Sequence, residues 1–333
     1  MVTIQDIADH LNIAKSTVSK SLNDGPDISE ELKKQVLETA VELGYTKLRR
    51  YKKRSDRLAI LVQNEHISFK KPDDFAYDII MGFRCAAEPL GFEVEIVPVD
   101  TNTQTENEYD VFLLRNQFSG AFLLGFSLLD PWLKQCESTK YPTVLYDNYI
   151  TGNPVTLSLG IDNIEGMELA IRHLKQLGHK KIGYLSSSLK SHIMQVRYNA
   201  FINALSSLGV KFDERLIGCE YDINKCVNEL LPDILSQGVT ALVCSQDTYA
   251  IAAIEKCKEL GMNIPADLNI IGFDDIPLAS QVSPQLTTIR QDRMQLGKSG
   301  FAALNSLINN ISIGTVLLHA QLIIRDSTAP TAK

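Results

Sequence analysis

Residues 2–23 read VTIQDIADHLNIAKSTVSKSLN and contain two helical periods separated by a short break. The apolar residues of the first period recur at the spacing of one helix face: Ile4, Ile7, Ala8 and Leu11. Thr3 precedes this face and Asp6 follows three residues later, a pattern typical of a helix N-terminus. Asn12 tolerates the left-handed conformation that a tight turn needs. The stretch therefore predicts two short helices joined by a tight turn.

The second helical period has a polar face with no acid on it before Asp24. Val18 and Leu22 are spaced to face inward. The outward residues carry hydroxyls or positive charges: Lys15, Ser16, Thr17, Ser19 and Lys20. In a helix–turn–helix, residues of this kind reach base edges and phosphates. The alternative is an ordinary pair of surface helices, and the sequence favours the DNA-binding interpretation.

The length of 333 residues is more than one ordinary domain needs and predicts two or three folded units. No apolar run is long enough for a membrane span, and the N-terminus lacks the apolar core of a secretory signal. We therefore expect a cytoplasmic protein with no membrane partner. The six cysteines form no C-x-x-C pair, so we expect reduced thiols, no metal site and no disulfide framework.

Charge is distributed unevenly along the chain, whose net charge is −7. Residues 1–57 hold 11 Lys and Arg against 9 Asp and Glu, whereas residues 58–333 hold 22 against 31. A slightly basic head on an acidic body predicts that only the head contacts DNA, in one orientation, and argues against binding through a uniformly basic surface.

A third helix and a basic linker complete the N-terminal region. Ser29 is placed to cap a helix over residues 30–43, which Gly44 ends. Seven of the eleven residues from Lys47 to Arg57 are cationic. Such a run is usually a solvated linker, but after a DNA-binding head it also meets phosphates.

From residue 58 onward, buried strands alternate with helices, and the alternation restarts near residue 181. This rhythm predicts two doubly wound α/β lobes behind the all-α three-helix head, with a ligand beside the carboxyl ends of the strands in a cleft between the lobes. The predicted divisions are a helix–turn–helix domain over 1–46, a hinge over 47–57, an N-terminal lobe over 58–177 and 291–319, and a C-terminal lobe over 178–290 and 320–330.

Motifs spread over nearly the full chain resemble one known family. The head carries TIQDIA at residues 3–8 and STVSK at 16–20, followed by Asn23. The body carries DN at 162–163, LGHKKI at 177–182, IGFDD at 271–275 and LTTI at 286–289. In this order and spacing, the motifs resemble those of the lactose-repressor (LacI/GalR) family of bacterial transcription regulators.

The resemblance implies a periplasmic-binding-protein-like core, a homodimer on a near-palindromic operator, and a small effector that controls repression. Lys15, Ser16 and Lys20 are expected to approach base edges. The residues expected mainly to hold phosphates are Thr3, Thr17, Ser19 and Asn23. The effector is expected to be a sugar or a sugar derivative, and neither a cofactor nor a metal is implied.

The same resemblance selects effector contacts. Arg197 and Asp274 would bind hydroxyls of the effector or, for Arg197, a carboxylate. Further contacts are expected from polar residues at a strand end and from aromatic residues that form walls of the site: Gln246, Asp247, Tyr221, Phe75 and Tyr77. The alternatives stay open, since Arg197 is also a plausible exposed helix cation, Asp274 a turn residue, and the aromatic residues core.

The chain departs from the family pattern in three places. Asn12 stands where glycine is usual, and Ala14 where many members have serine. The hinge after Tyr45 lacks the proline and the Ala-x-x-Leu segment of many members. We therefore expect this basic hinge to be extended and to act mainly through phosphates, with Leu48 and Arg49 as DNA contacts.

Two other classes of function were compared with the repressor. An S-x-x-K sequence at residues 187–190 has no partner motif, and the chain has no P-loop or G-x-G-x-x-G, so we expect no enzyme. A solute receptor of a sugar transport system is the alternative for the core. A receptor would not carry the N-terminal head.

Overall fold

The computed structural model of the chain describes residues 2–23, 25–45 and 56–331. The chain divides into two compact units, each assembled from separate stretches of sequence. Unit 1 comprises Met1–Leu159 and Arg293–Val316, and unit 2 comprises Gly160–Asp292 and Leu317–Lys333. No helix among the described residues combines the length and the apolar character that crossing a membrane requires.

Three helices form the head at the start of unit 1: α1 (Ile4–Leu11), α2 (Lys15–Ser21) and α3 (Glu30–Glu42). The Thr3 hydroxyl accepts a hydrogen bond from the Asp6 backbone N–H, and the Asp6 carboxylate accepts one from the Thr3 backbone N–H at 2.6 Å. Asn12 is left-handed with φ 52° and ends α1. The predicted helix–turn–helix is confirmed: the Thr3–Asp6 cap begins the first helix and the left-handed Asn12 ends it, as the sequence predicted.

The remaining strands and α-helices mostly alternate. Those of the first half are β1 (Arg57–Gln63), α4 (Tyr77–Ala87), β2 (Glu93–Val99), α5 (Thr101–Glu106), α6 (Tyr109–Arg115), β3 (Ala121–Leu124), α7 (Pro131–Gln135), β4 (Thr143–Tyr146), β5 (Thr156–Ile161) and α8 (Asn163–Gln176). Those of the second half are β6 (Ile182–Ser186), α9 (His192–Ser207), β7 (Ile217–Cys219), α10 (Ile223–Lys225), α11 (Leu231–Ser236), β8 (Ala241–Cys244), α12 (Asp247–Glu259), β9 (Asn269–Asp274), β10 (Thr287–Arg290), α13 (Arg293–Ile308), β11 (Thr315–Leu318) and β12 (Gln321–Ile323).

Each unit is built on one mostly parallel sheet. The first sheet has the strand order β11-β5-β4-β3-β1-β2, and the second has the order β12-β10-β9-β8-β6-β7. In the second sheet β12 runs antiparallel to β10, and the other pairs are parallel. The strand order reverses beside β1 and beside β6, and such points are where open α/β sheets bind ligands at their carboxyl ends. The predicted pair of doubly wound α/β lobes is thus confirmed.

Helix α8 belongs to unit 2, which corrects the expectation that residues 58–177 all lie in the N-terminal lobe. Its inward residues Met167 and Ala170 are fully buried in the same apolar core as Phe201 and Phe273 of unit 2. The chain therefore passes to unit 2 at Gly160 rather than near Gly178. Alternating strands and helices show that a helix covers a sheet but do not show which sheet it covers.

Helices α4 and α13 cross in unit 1 with no space for a side chain at their contact. A methyl group added at Gly297 would lie 1.9 Å from the Ile79 carbonyl oxygen, and one at Gly82 would lie 2.1 Å from the Met294 carbonyl oxygen. The obstacles are backbone atoms of the opposite helix, which cannot move without separating the two helices. The close crossing joins α13, from the far end of the sequence, to the first helix of the lobe.

The substitution Gly297→Ala is expected to lower the melting temperature of the full chain, and Gly300→Ala in the same helix serves as the control. A methyl at Gly300 would lie 3.0 Å from side-chain atoms of Phe122, whereas one at Gly297 would lie 1.9 Å from a backbone oxygen. Alanine favours the helix by about 1 kcal/mol, so net destabilisation, of roughly 1–3 kcal/mol or more, reports the steric conflict. Equal melting temperatures for the two variants would contradict the close crossing.

Candidate functional site

The outward face of α2 presents the side chains selected from the sequence for DNA contact. Lys15, Ser16 and Lys20 are exposed, and Thr17 and Ser19 are half-buried. Val18 is fully buried and Ser21 donates a hydrogen bond to the Thr17 carbonyl oxygen, so the opposite side of the helix faces the head core. The exposed row of hydroxyl and ammonium groups has the chemistry to meet base edges and phosphates.

Two of the predicted DNA contacts already have partners in the head. The Lys20 ammonium pairs with the Asp27 carboxylate, and this hydrogen bond lowers the pKa of Asp27. The Asn23 side chain donates to the Ser19 carbonyl oxygen at 2.7 Å. Thr3 is exposed at the N-terminus of α1. The predicted contacts Leu48 and Arg49 lie outside the described residues.

A buried guanidinium is the centre of the polar cluster in unit 2. Arg197, on α9, is 2% exposed, and its Nε donates to Asn163 Oδ1 at 2.8 Å. Its Nη1 donates to the Ser245 carbonyl oxygen at 2.5 Å and to Asp274 Oδ1 at 3.2 Å. The guanidinium carbon lies 3.8 Å from the centre of the Phe273 ring. Arg197 is thus a buried, paired cation and not an exposed helix charge, and its Nη2 is not used by these bonds.

Asp274 and Asp275 follow β9 in a backbone conformation that is uncommon for residues other than glycine. Their φ angles are 117° and 50°. Asp274 turns to Arg197 and also accepts from Gln291 Nε2 at 2.7 Å. Asp275 turns the other way, accepting from Arg290 Nε and Arg325 Nη2, each at 2.6 Å. The strained turn therefore separates one carboxylate at the guanidinium from another that pairs with two structural arginines.

Asp247 is the first residue of α12, shortly after β8, and has no exposed surface. Its Oδ1 accepts from the Thr288 hydroxyl at 2.5 Å, and its Oδ2 accepts from the Ile276 backbone N–H at 2.9 Å. Burial, followed by the repulsion of Asp274, raises the pKa of Asp247 to about 8. Direct ligand contact would require these bonds to break, so the geometry assigns Asp247 to support of the Asp274 turn. Gln246 is half-buried beside it and precedes α12.

The three aromatic residues selected from the sequence lie in different surroundings. Tyr221 of unit 2 is 78% exposed, and its carbonyl oxygen accepts from the Tyr249 hydroxyl. In unit 1, Phe75 is half-buried, with its ring centre 6.3 Å from that of Tyr146. Tyr77 is half-buried at the first position of α4. Tyr221 is the one with a ring open to solvent.

Residues that the sequence analysis did not select complete the cluster. Asn163, Ser245 and Phe273 all contact the Arg197 guanidinium, and Gln291 contacts Asp274. Asn163 follows the N-cap Asp162, in a motif that was quoted for resemblance alone. Ser245 contributes its backbone carbonyl, which no side-chain pattern reveals. Together these groups place a guanidinium and a carboxylate side by side at the carboxyl ends of β8 and β9.

The buried Asp247 predicts a pH-dependent stability with a definite sign. In the unfolded chain this carboxyl ionises near its ordinary pKa of 3.8, and in the folded chain near 8. Between these values the folded chain retains a proton that the unfolded chain has lost, so stability falls as the pH rises from about 5 to about 8. Asp247→Asn cannot ionise, so the melting temperature of the variant minus that of the parent is expected to increase as the pH rises over this range.

Melting temperatures of the two proteins, measured in parallel from about pH 5 to about pH 9, test this. Burial lowers the pKa values of His173 and His179, which adds a pH dependence of the opposite sign. That component is common to both proteins and cancels in their difference. A difference that does not change with pH would contradict the raised pKa of Asp247.

Comparison with known proteins supports the assignment of both regions. The profile of the lacI family of bacterial regulatory proteins matches residues 3–47, and that of the periplasmic binding protein-like domain matches residues 171–328. The HTH-type transcriptional repressor CytR of Escherichia coli K12 is 29% identical over 335 residues, covering 98% of this chain and 96% of the relative.

Solved structures show the same fold. The complex of the transcriptional regulator CelR with cellobiose aligns with a TM-score of 0.72 at 23% identity, covering 98% of this chain and all of that one. The Lac repressor dimer bound to operator and an anti-inducer aligns with a TM-score of 0.67 at 22% identity, covering 98% and 99%. Residues 3–47 therefore match the lacI-family DNA-binding head, a periplasmic-binding-protein-like domain follows, and the chain is similar over nearly its full length to a transcriptional repressor rather than to an enzyme.

Proposed function

We propose that this repressor binds its operator as a homodimer and that a small hydroxyl-rich effector, a sugar or a sugar derivative, controls that binding. The observation that carries the effector proposal is the Arg197–Asp274 pair at the carboxyl ends of the strands of unit 2. The CelR structure, solved with cellobiose, supports a carbohydrate ligand for a chain of this fold.

The chemistry of the pair suits a ligand rich in hydroxyl groups. A hydroxyl both donates and accepts, so one hydroxyl of the effector can give its hydrogen to the Asp274 carboxylate while a neighbouring oxygen accepts from Arg197 Nη2. Bonds to charged groups inside a protein discriminate strongly against ligands that lack the partner atom. Tyr221, which is exposed, has a ring that could cover a face of the sugar.

The operator proposal rests on α2. The Lac repressor structure, a dimer on operator DNA, supports a dimer for this chain. Lys15 and Ser16 are expected to read base edges, and Lys20 does so after exchanging Asp27 for DNA. Thr3, Thr17, Ser19 and Asn23 are proposed as phosphate contacts. The contributions of Phe75, Tyr77 and Gln246 to the effector, and of the basic hinge to DNA, stay predictions.

Ser16→Ala tests direct base contact. The variant should lose roughly 1–3 kcal/mol of affinity for the operator and little for random DNA, because a base contact is made on the specific sequence alone. Fluorescence anisotropy with both DNAs at one salt concentration measures the two losses. Ser19→Ala, a proposed phosphate contact, is the matched control and should weaken both complexes to the same extent. Equal losses for Ser16→Ala would show that Ser16 does not read sequence.

Asp274→Asn tests the effector site with less disturbance than truncation of Arg197, whose removal would leave three buried partners without their donor. The variant keeps the side-chain shape, and asparagine tolerates positive φ. A sugar identified by thermal shift on the parent protein should bind about tenfold to a hundredfold more weakly, because a charged acceptor is lost. Operator affinity without sugar should stay close to that of the parent.

Asp275→Asn is the control next to it in the same turn. It loses ion pairs with Arg290 and Arg325 and should lower the melting temperature. The sugar affinity of the folded protein should be unchanged, since Asp275 points away from Arg197. If Asp274→Asn binds the sugar like the parent, the pocket assignment is wrong even though the repressor assignment stands.

A further inference from the structure

Helix α3 of the DNA-binding head lies against helix α6 of the lobe in unit 1. At the start of α3, the Glu30 carboxylate lies 3.5 Å from the Arg115 guanidinium at the end of α6. Both side chains are more than half exposed, so this pair alone contributes little. It does fix which end of α3 meets which end of α6.

Apolar side chains close the contact further along α3. Leu37 and Tyr45 of the head are each 5% exposed, and they belong to the same continuous buried cluster as Tyr141 of the lobe, which is 2% exposed. Phe112 of α6 packs against this cluster. Because side chains of the head and of the lobe belong to one buried cluster, the two surfaces pack against each other.

A cavity of about 300 Å³ marks the edge of the interface and shows which surfaces face each other. Val41 lines it from the head, and residues around α6 and α7, among them Asp110, Ser138 and Lys140, line it from the lobe. The two sides are therefore close enough for side chains of both to border one small space.

The lobe side of the interface is firmly held. The Tyr109 hydroxyl of α6 bonds the Thr143 hydroxyl of β4 at 2.8 Å, and Phe112 packs on the Trp132 ring with 4.9 Å between ring centres. Asp110 accepts from the Lys140 backbone N–H at 2.9 Å. These contacts tie α6, the helix against which the head lies, to β4 and α7 of the same lobe.

The DNA face is not part of this contact. Lys15, Ser16 and Lys20 of α2 are exposed, whereas Glu30 and Val41, the head residues that pair with the lobe or border its cavity, belong to α3. We propose that the head is docked on the lobe through α3 and α6 when no DNA is bound, and that the docked head is the form that presents α2 to the operator. This inference concerns the DNA-free state of the head and is independent of the effector proposal.

Crosslinking of the full-length chain tests the docking. In a Cys85→Ser background, which removes an exposed thiol, the pair Val41→Cys and Ser138→Cys borders the cavity from both sides. Both changes are close in size to the native residues. A short bismaleimide should join this pair within one chain at least about tenfold faster than the control pair Ser16→Cys and Ser138→Cys, because docking raises the local concentration of one thiol at the other.

A charge reversal across the Glu30–Arg115 pair provides a second test, because it perturbs the interface at a position away from the introduced cysteines. Arg115→Glu places a carboxylate opposite Glu30 and should slow crosslinking of the Val41/Ser138 pair by roughly two- to fivefold, the range of an exposed ion pair. Adding Glu30→Arg should restore the rate. If the double variant does not recover the crosslinking rate, the Glu30–Arg115 ion pair is not part of the interface.

The affinity of the crosslinked protein for operator completes the test, with the uncrosslinked protein as reference. Affinity within about threefold of the reference is expected, since a joined head keeps its exposed α2 and loses little freedom. Equal crosslinking rates for the two cysteine pairs would overturn docking. Rapid crosslinking with loss of operator binding would overturn the claim that the docked head is the DNA-binding form. If the uncrosslinked reference itself fails to bind operator, the repressor assignment fails instead.

Discussion

The buried Arg197 guanidinium is the constraint on which the ligand-binding end of unit 2 depends. A cation that cannot lose its proton must be paired and hydrogen-bonded when it is removed from water. Its donors reach Asn163 at the start of α8, the Ser245 carbonyl at the end of β8 and Asp274 at the end of β9. One side chain thereby fixes three chain segments that come from well-separated parts of the sequence. Ion pairing also maintains the positive φ angles of Asp274 and Asp275, since the Asp274 carboxylate must reach Arg197 and the Asp275 carboxylate must reach Arg325.

The same end of the unit concentrates negative charge, and this explains the protonation of Asp247. Three carboxylates follow β8 and β9, and arginines pair with two of them. Asp247 accepts hydrogen bonds from the Thr288 hydroxyl and the Ile276 backbone N–H, which carry no charge, so burial and the neighbouring Asp274 raise its pKa. A neutral Asp247 can sit close to the chain at Gly272, where an added methyl would lie 2.1 Å from its Oδ1. The glycine of the IGFDD motif is therefore required by packing against a carboxyl group.

The sequence predicted those features that local chemistry determines. The cap at Thr3, the left-handed Asn12 and the exposed polar face of α2 follow from residue types at fixed spacing, and the structure has all three. The resemblance located Arg197 and Asp274, but it did not show that they bind each other. Asp247 was expected at the ligand and is enclosed, because burial depends on neighbours such as Thr288 that lie far away in sequence. Helix α8 was assigned to the other lobe for a related reason: its apolar stripe shows that it packs on a sheet, and only the fold shows that this sheet is in unit 2.

The position of Trp132 has a consequence for spectroscopy of this protein. It is the single tryptophan of the chain, it is fully buried, and it lies against Tyr109 and Phe112 of α6, with its indole N–H bonded to the Asn107 carbonyl oxygen at 2.7 Å. Intrinsic tryptophan emission therefore originates from one dry site in unit 1. Its wavelength reports on water reaching that site and hence on the integrity of this lobe. Local rearrangements around Arg197, in the other unit, leave no tryptophan signal of their own.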